Sequence, residues 1–134
     1  MRHIIKVGLA VTEGGRILLV RKHGSSSWIL PGGKPEAGEG DVTALVRELG
    51  EELGCGLDGE GIFLGEFSAP AADSEKEAMV HVRLYLGGLN GQPVPQSEIE
   101  EMAWVELDNH TAYSVAPSLR DQILPMLADR TKVR

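Results

Sequence analysis

The chain has 134 residues, 42% of them hydrophobic and 25% charged, with a single cysteine, Cys55. No apolar run approaches the ~18 residues of a membrane span, one thiol excludes a disulfide framework, and a net charge of −7 argues against a general nucleic-acid-binding surface. We therefore predict a single soluble domain over residues 1–134. The N-terminus turns polar too early for a signal peptide, so we expect a cytoplasmic protein.

The first part of the chain predicts a β-hairpin and a loop. Ile4–Thr12 and Arg16–Arg21 are β-branched and apolar, and the turn signal Glu13–Gly15 separates them. Trp28–Leu30 is predicted to be extended. Pro31–Gly38 is too rich in proline and glycine for a helix or a strand, and a loop this demanding usually has a function.

A helix is predicted from Asp41 to Gly54, with Asp41 as its N-cap and Gly54 as its C-terminal stop. The apolar residues that recur there at three- and four-residue steps are Val42, Leu45, Val46, Leu49 and Leu53.

The second half predicts three strands and a closing helix. The strands are Ile62–Phe67, Ala78–Leu86 and Ala103–Leu107, and the helix is Ala116–Leu127, which Pro125 shortens or kinks. Strands interleaved with two helices predict a layered α/β domain, with a mixed sheet between the helices.

The predicted first helix carries an unusual acidic cluster. Eight acids and one base lie between Glu36 and Glu60. On the helix, Glu48, Glu51 and Glu52 share an arc of about 100° at the border of the apolar stripe, where like charges repel. Carboxylate oxygens at the edge of a core suit Mg²⁺ or Mn²⁺, so the pattern predicts a cation site.

The residues around this cluster support the prediction. Gly32 and Gly33 allow close approach of the backbone, and Glu39 adds a fourth carboxylate just before the helix. Arg47, next to Glu48, can pair with a carboxylate and fix its rotamer.

At this spacing the residues match a known motif. Gly33, Glu39 and the run Arg47–Cys55 resemble the Nudix box, G-x5-E-x7-R-E-U-x-E-E-x-G-U, in which U is a bulky aliphatic residue. Eight of nine specified positions match, and the exception is Cys55, which serves as a small hydrophobe in the last aliphatic position. The flanking strands and Trp104 extend the resemblance, which is to MutT-like Nudix hydrolases.

The resemblance implies a Nudix fold, an α/β/α sandwich with a central mixed sheet, whose box at residues 33–55 forms a loop–helix–loop. It also implies Mg²⁺-dependent hydrolysis of a nucleoside diphosphate linked to another moiety. The implied metal ligands are Glu48, Glu51, Glu52 and the carbonyl of Gly33. The implied catalytic group comprises Glu39, Arg47, Glu51 and Glu52.

Outside the box, Glu98 lies six residues before Trp104. In several Nudix branches a glutamate at this position reaches the metal site, so Glu98 is a candidate ligand or general base. Glu101 is the alternative.

Four further residues are candidates for binding the substrate. Arg21 and Lys22 end the second strand beside the loop, and we expect them, with Lys34, to meet phosphates. Trp28 is expected to stack on a base.

The substrate we expect is a nucleoside triphosphate, intact or oxidised, cleaved to monophosphate and pyrophosphate. ADP-ribose is an alternative because Pro70 lies 16 residues after Gly54, a spacing found in ADP-ribose hydrolases. Dinucleoside polyphosphates, 5′-triphosphorylated RNA ends and a non-catalytic nucleotide-binding module remain open. We expect no membrane partner, and a monomer or a homodimer.

Overall fold

The computed structural model describes residues 1–71 and 77–132. Its strands are β1 (Arg2–Ala10), β2 (Thr12–Glu13), β3 (Arg16–Lys22), β4 (Trp28–Ile29), β5 (Gly32–Gly33), β6 (Gly56–Pro70), β7 (Ala78–Asn90) and β8 (Ile99–Glu106). Its helices are α1 (Asp41–Leu53) and α2 (Leu124–Lys132), and a π-helical turn, Leu119–Ile123, precedes α2. None of the described helices is long and apolar enough to cross a membrane.

The predicted mixed sheet is confirmed, with the strand order β5-β1-β7-β6. β1 and β7 are parallel, and the outer strands are antiparallel to their neighbours. The prediction that no strand forms within Pro31–Gly38 is wrong. Gly32 and Gly33 pair with Gly8 and Val7 and form the short strand β5. The open edge of β1 offers backbone groups that need partners, and this pairing holds the loop beside the sheet.

A second sheet was not foreseen from the sequence. It is antiparallel, with the order β2-β3-β4 and β8 paired to β3. Two cores separate the layers. The core between α1 and the sheets contains Val7, Leu9, Leu18, Val20, Leu45, Leu49 and Leu53. The core between the sheets and the closing helical segment contains Ile17, Leu19, Leu84, Val105, Leu119, Ile123 and Leu127. The predicted layering of helices on both sides of the sheets is confirmed.

The strands of the second half are longer than predicted. β6 and β7 pair from Gly56 and Asn90 to Pro70 and Met79, with register shifts that accommodate the glycine-rich segment after Asp58. Glycine weakens a strand locally, but a long partner strand compensates by pairing its backbone. β8 likewise begins earlier than predicted because it pairs with β3.

Asp41 is not the N-cap of α1, which corrects another prediction. Gly40 occupies that position, and Asp41 is the first helical residue. The Asp41 carboxylate instead accepts a hydrogen bond from the Tyr85 hydroxyl at 2.8 Å and pairs with Arg83 Nη2 at 2.8 Å. The start of α1 is therefore anchored to β7. Its end is as predicted, with Gly54 in the left-handed region at φ 67°.

The closing helix begins later than predicted. Ala116 N–H donates to the carbonyl of Trp28 at 3.1 Å, and the Ala116 carbonyl accepts from Arg120 N–H at 3.0 Å, so Ala116 joins the β4 pairing to the start of the helix. Pro125 lies in the first turn of α2, directly after the wider π-helical turn, where its missing N–H is tolerated.

Replacing Asp41 by Asn is expected to lower the free energy of unfolding by about 1–3 kcal/mol, because Arg83 loses its charged partner. Arg83 Nε is already buried without a hydrogen-bond partner. Urea denaturation measures the change. The control is Asp121→Asn, which breaks an exposed pair with Arg120 and should leave the unfolding midpoint nearly unchanged. Equal effects of the two substitutions would contradict the anchoring role.

Candidate active site

The contact between α1 and β5 places Glu48 directly against Gly33. A Cβ atom at residue 33 would lie 1.5 Å from Glu48 Oε2, so any side chain there would displace the carboxylate. Glu48 is itself only 9% exposed. Gly33 is therefore required by the packing of a carboxylate, in addition to the conformation of the loop.

Glu52 is more deeply buried, with 1% of its surface exposed. Its Oε1 accepts a hydrogen bond from Gly32 N–H at 3.1 Å. Its Oε2 is buried and has no hydrogen-bond partner. Because a buried oxygen without a partner costs free energy, this atom points to a ligand.

Burial raises the pKa of both carboxyl groups. The pKa of Glu52 rises to about 8, because its desolvation and the charge of Glu48 outweigh the hydrogen bond from Gly32. The pKa of Glu48 rises to about 7 through burial and a hydrogen bond with Glu51, against the opposing effect of Arg47. Burial therefore disfavours the charged form of both groups near neutral pH, and a cation beside them favours it.

Arg47 connects the loop to the carboxylates. Its Nε and Nη2 donate to the two oxygens of Glu39, each at 2.9 Å, and Nη1 donates to Glu48 Oε1 at 3.0 Å. Nη2 also donates to the carbonyl of Lys34 at 3.1 Å. The hydrogen bonds from Arg47 lower the pKa of Glu39 to about 2. Glu39 therefore holds Arg47, and Arg47 orients Glu48.

Glu51, the third carboxylate of the helix, is the most exposed of the three. Glu51 is 54% exposed, and its Oε2 lies 3.4 Å from Arg47 Nη1. Over residues 1–71 and 77–132, no group of three or more His, Cys, Asp or Glu side chains is arranged to hold an ion. The donors nevertheless fit a hard divalent cation, since Glu52 Oε2 lacks a protein partner and Mg²⁺ fills its remaining positions with water and phosphate oxygens.

A cavity of about 570 Å³ opens beside these carboxylates. The residues at its charged end are Lys6, Lys22, Gly33, Lys34, Glu48 and Glu98. The residues of its apolar end are Ile4, Leu30, Val80, Val82 and Leu119. A charged end joined to an apolar chamber fits a ligand with an anionic part and a ring system.

The predicted substrate-binding residues divide between two faces. Lys22 and Lys34 line the cavity, whereas Arg21 and Trp28 are not among its lining residues. Side chains alternate along β3, so Lys22 shares a face with Val20 and Arg21 takes the other. Arg21 instead pairs with Glu100 at 3.1 Å and with Glu101, and its guanidinium lies 5.9 Å from the centre of the Trp28 rings.

The two candidate glutamates outside the box are separated in the same way. Glu98 lines the cavity and pairs with Lys22 Nζ at 3.5 Å, whereas Glu101 pairs with Arg21. Lys6 is a cavity residue that we did not predict. The only signal in the sequence was the position of a lysine within the apolar run of β1. Whether such a lysine faces the cavity depends on which face of the sheet its side chain occupies.

A scan against family models matches the NUDIX domain over residues 2–127. The chain belongs to the NUDIX domain family. The match confirms the family predicted from the Nudix box. Members of this family are hydrolases that generally use divalent metal ions.

Relatives within the NUDIX family include MutT-like proteins. A MutT-like protein from Streptomyces ambofaciens is 42% identical over 57 residues, a match that spans 42% of this chain and 37% of that protein. The CTP pyrophosphohydrolase of Escherichia coli K12 is 28% identical over 123 residues, covering 88% of this chain and 87% of that one. The MutT protein from Methanosarcina mazei Go1 has a similar structure, with a TM-score of 0.76 at 25% identity, covering 99% and 97% of the two chains.

In the presence of a chelator, Glu52→Gln is expected to stabilise the protein at pH 8. Because the pKa of Glu52 is about 8 in the folded protein against 4.5 ordinarily, protonation favours folding. This stabilisation is complete below about pH 4.5 and is lost as the pH rises to about 8. Glutamine mimics the neutral form, so thermal unfolding at pH 5 and pH 8 should differ less in the variant.

Glu60→Gln, which replaces an exposed glutamate, is the control and should keep the wild-type pH profile. Millimolar Mg²⁺ should raise the melting temperature of the wild type more than that of Glu52→Gln, because only the wild type keeps both buried carboxylates. A wild-type melting temperature unaffected by Mg²⁺ would count against a cation site.

Proposed function

We propose that this protein is a Mg²⁺-dependent pyrophosphohydrolase that cleaves a nucleoside diphosphate linked to another moiety, with Mn²⁺ as a substitute ion. The observation that carries the proposal is the buried, unpartnered Oε2 of Glu52. The other oxygen of Glu52, Oε1, accepts from Gly32 N–H, and Gly32 lines the cavity together with Lys22 and Lys34. Anionic oxygens and cationic side chains at one place fit a cation–phosphate complex.

The proposed ligands of the ion are Glu48, Glu51 and Glu52, with Glu98 and the carbonyl of Gly33 as further candidates. When bound, the ion neutralises charge on the phosphates and lowers the pKa of water at the site. The Glu51 Oε2 atom lies 3.4 Å from Arg47 Nη1 in this structure. Glu51 would reach the ion by rotating its side chain away from Arg47.

The protein's own groups position the substrate. Lys22 and Lys34 bind phosphate oxygens at the charged end, and the nucleoside fills the apolar end. Arg47, held by Glu39, keeps Glu48 in place. Holding the phosphates in line with water is most of what such a hydrolysis requires.

Glu98 is the proposed general base. It lines the cavity, its side chain is 55% exposed, and its partner Lys22 holds it near the phosphates. A carboxylate with this access can take the proton of the attacking water. Glu51 and Glu52 are the alternative bases.

The proposed substrate is a nucleoside triphosphate, intact or oxidised, which yields the monophosphate and pyrophosphate. The name of the E. coli relative, a CTP pyrophosphohydrolase, supports this class. ADP-ribose or a dinucleoside polyphosphate is the second candidate, because Pro70 lines the cavity. The proposed location is the cytoplasm, where the free thiol of Cys55 stays reduced.

The deciding experiment incubates the protein and Mg²⁺ with a panel of the common and oxidised nucleoside triphosphates, ADP-ribose, diadenosine polyphosphates and 5′-triphosphorylated RNA. Released monophosphate, phosphate and pyrophosphate are measured. Release of pyrophosphate and monophosphate from a nucleoside triphosphate supports the proposal. Binding without cleavage of any compound would indicate a non-catalytic module.

Glu51→Gln and Glu52→Gln are each expected to lower kcat by about 10³-fold or more, because each removes charge that the bound ion requires. Steady-state kinetics with saturating Mg²⁺ measure the loss. Retention of more than about a tenth of the activity in both variants would overturn the metal assignment.

Glu98→Gln is expected to lower kcat by roughly 10- to 10³-fold with a smaller effect on KM, the pattern of an interaction made mainly in the transition state. Glu101→Gln is the matched control, because Glu101 pairs with Arg21 outside the cavity, and it should change kcat little. The reverse order of effects would refute the role of Glu98.

A further inference from the structure

Lys6 interrupts an apolar row of β1 that faces the cavity. Because side chains alternate along a strand, and Val7 packs beneath α1, Lys6 points to the opposite face with Ile4 and Gly8. It is partly buried. An ammonium group in this position loses hydration, so an anion beside it would be favourable.

The sheet register sets Lys6 against a second lysine. Val7 pairs with Gly33 and Gly8 with Gly32 in antiparallel register, and continuing this register by one residue brings Lys6 opposite Lys34. Like charges directly opposite each other on neighbouring strands are destabilising. Lys22 lines the same end of the cavity, so three ammonium groups gather there. Burial and the charges of Lys22 and Lys34 lower the pKa of Lys6, against the opposing charges of Glu52 and Glu98.

The place of Lys6 along β1 distinguishes it from the other two lysines. In the parallel register with β7, Ile4 lies opposite Val80 in the apolar end, and Lys6 lies opposite Val82. The next cavity residue, Gly8, pairs with Gly32 beside the buried carboxylates. Lys6 therefore lies between the apolar end of the cavity and the buried carboxylates.

We propose that Lys6 binds the phosphate that remains attached to the nucleoside after cleavage. This inference rests on the proposed function, because it takes the cavity as the nucleotide site. Lys34 belongs to the box, and Lys22 ends β3 and pairs with Glu98; these two lysines hold the remaining phosphates. Lys6 thus favours nucleotide substrates over simple polyphosphates.

Calorimetry in the presence of Mg²⁺ tests the inference through both products of the reaction. The probes are AMP, CMP, GMP and UMP on one side and inorganic pyrophosphate on the other. Lys6→Met keeps the aliphatic stem and removes the charge, and it should weaken monophosphate binding by about 10- to 100-fold while changing pyrophosphate binding less than about 3-fold. Lys6→Arg should retain most of the monophosphate affinity.

Arg16→Gln is the charge-matched control, because Arg16 is exposed at the start of β3 and does not line the cavity. It should leave both affinities unchanged. Thermal unfolding establishes that each variant is folded, and if Lys6→Met does not fold, Lys6→Gln takes its place.

Equal weakening of both ligands in Lys6→Met would overturn the inference and indicate that Lys6 only balances the charges of Glu52 and Glu98. Unchanged affinities would overturn it as well. Failure of the proposed function is seen separately, as a wild-type protein that cleaves no nucleotide of the panel.

Discussion

The burial of two carboxyl groups where α1 meets β5 is the constraint around which the site is built. Glu52 is enclosed with one oxygen unpartnered, and Glu48 presses on Gly33. Burying these carboxyl groups lowers the free energy of unfolding. The two hydrophobic cores on either side of the sheets must compensate for this loss. The backbone N–H of Gly32 and the guanidinium of Arg47 supply local compensation. The geometry is thus held by the fold, and the proposed cation would complete it.

Strand alternation decides which cationic side chains face the cavity. Arg21 and Lys22 are neighbours in the chain, yet only Lys22 reaches the cavity, while Arg21 joins an acidic cluster on the opposite face. Lys6 reaches the same cavity from a different strand. Because one residue of displacement along a strand reverses the face, the charge of the cavity depends on register as much as on composition.

The local parts of this arrangement were predictable from the sequence. The α-helical period alone brings Glu48, Glu51 and Glu52 to one side of α1, and Gly54 ends the helix as expected. The errors come from pairing between distant segments. Asp41 has the composition of an N-cap, whereas its anchoring by Tyr85 depends on the position of β7. The face that Lys6 takes depends on the packing of Val7 beneath α1. Such contacts leave no signature within a short window of sequence.

The two ends of the cavity come from different segments of the chain. The box supplies Gly33, Lys34 and Glu48, whereas β1, β7 and the turn before α2 supply the apolar walls. Substitutions in the walls can therefore change the proposed nucleoside preference without disturbing the carboxylates. This separation makes the scaffold evolvable: related enzymes can diverge in substrate while inheriting one hydrolytic apparatus unchanged.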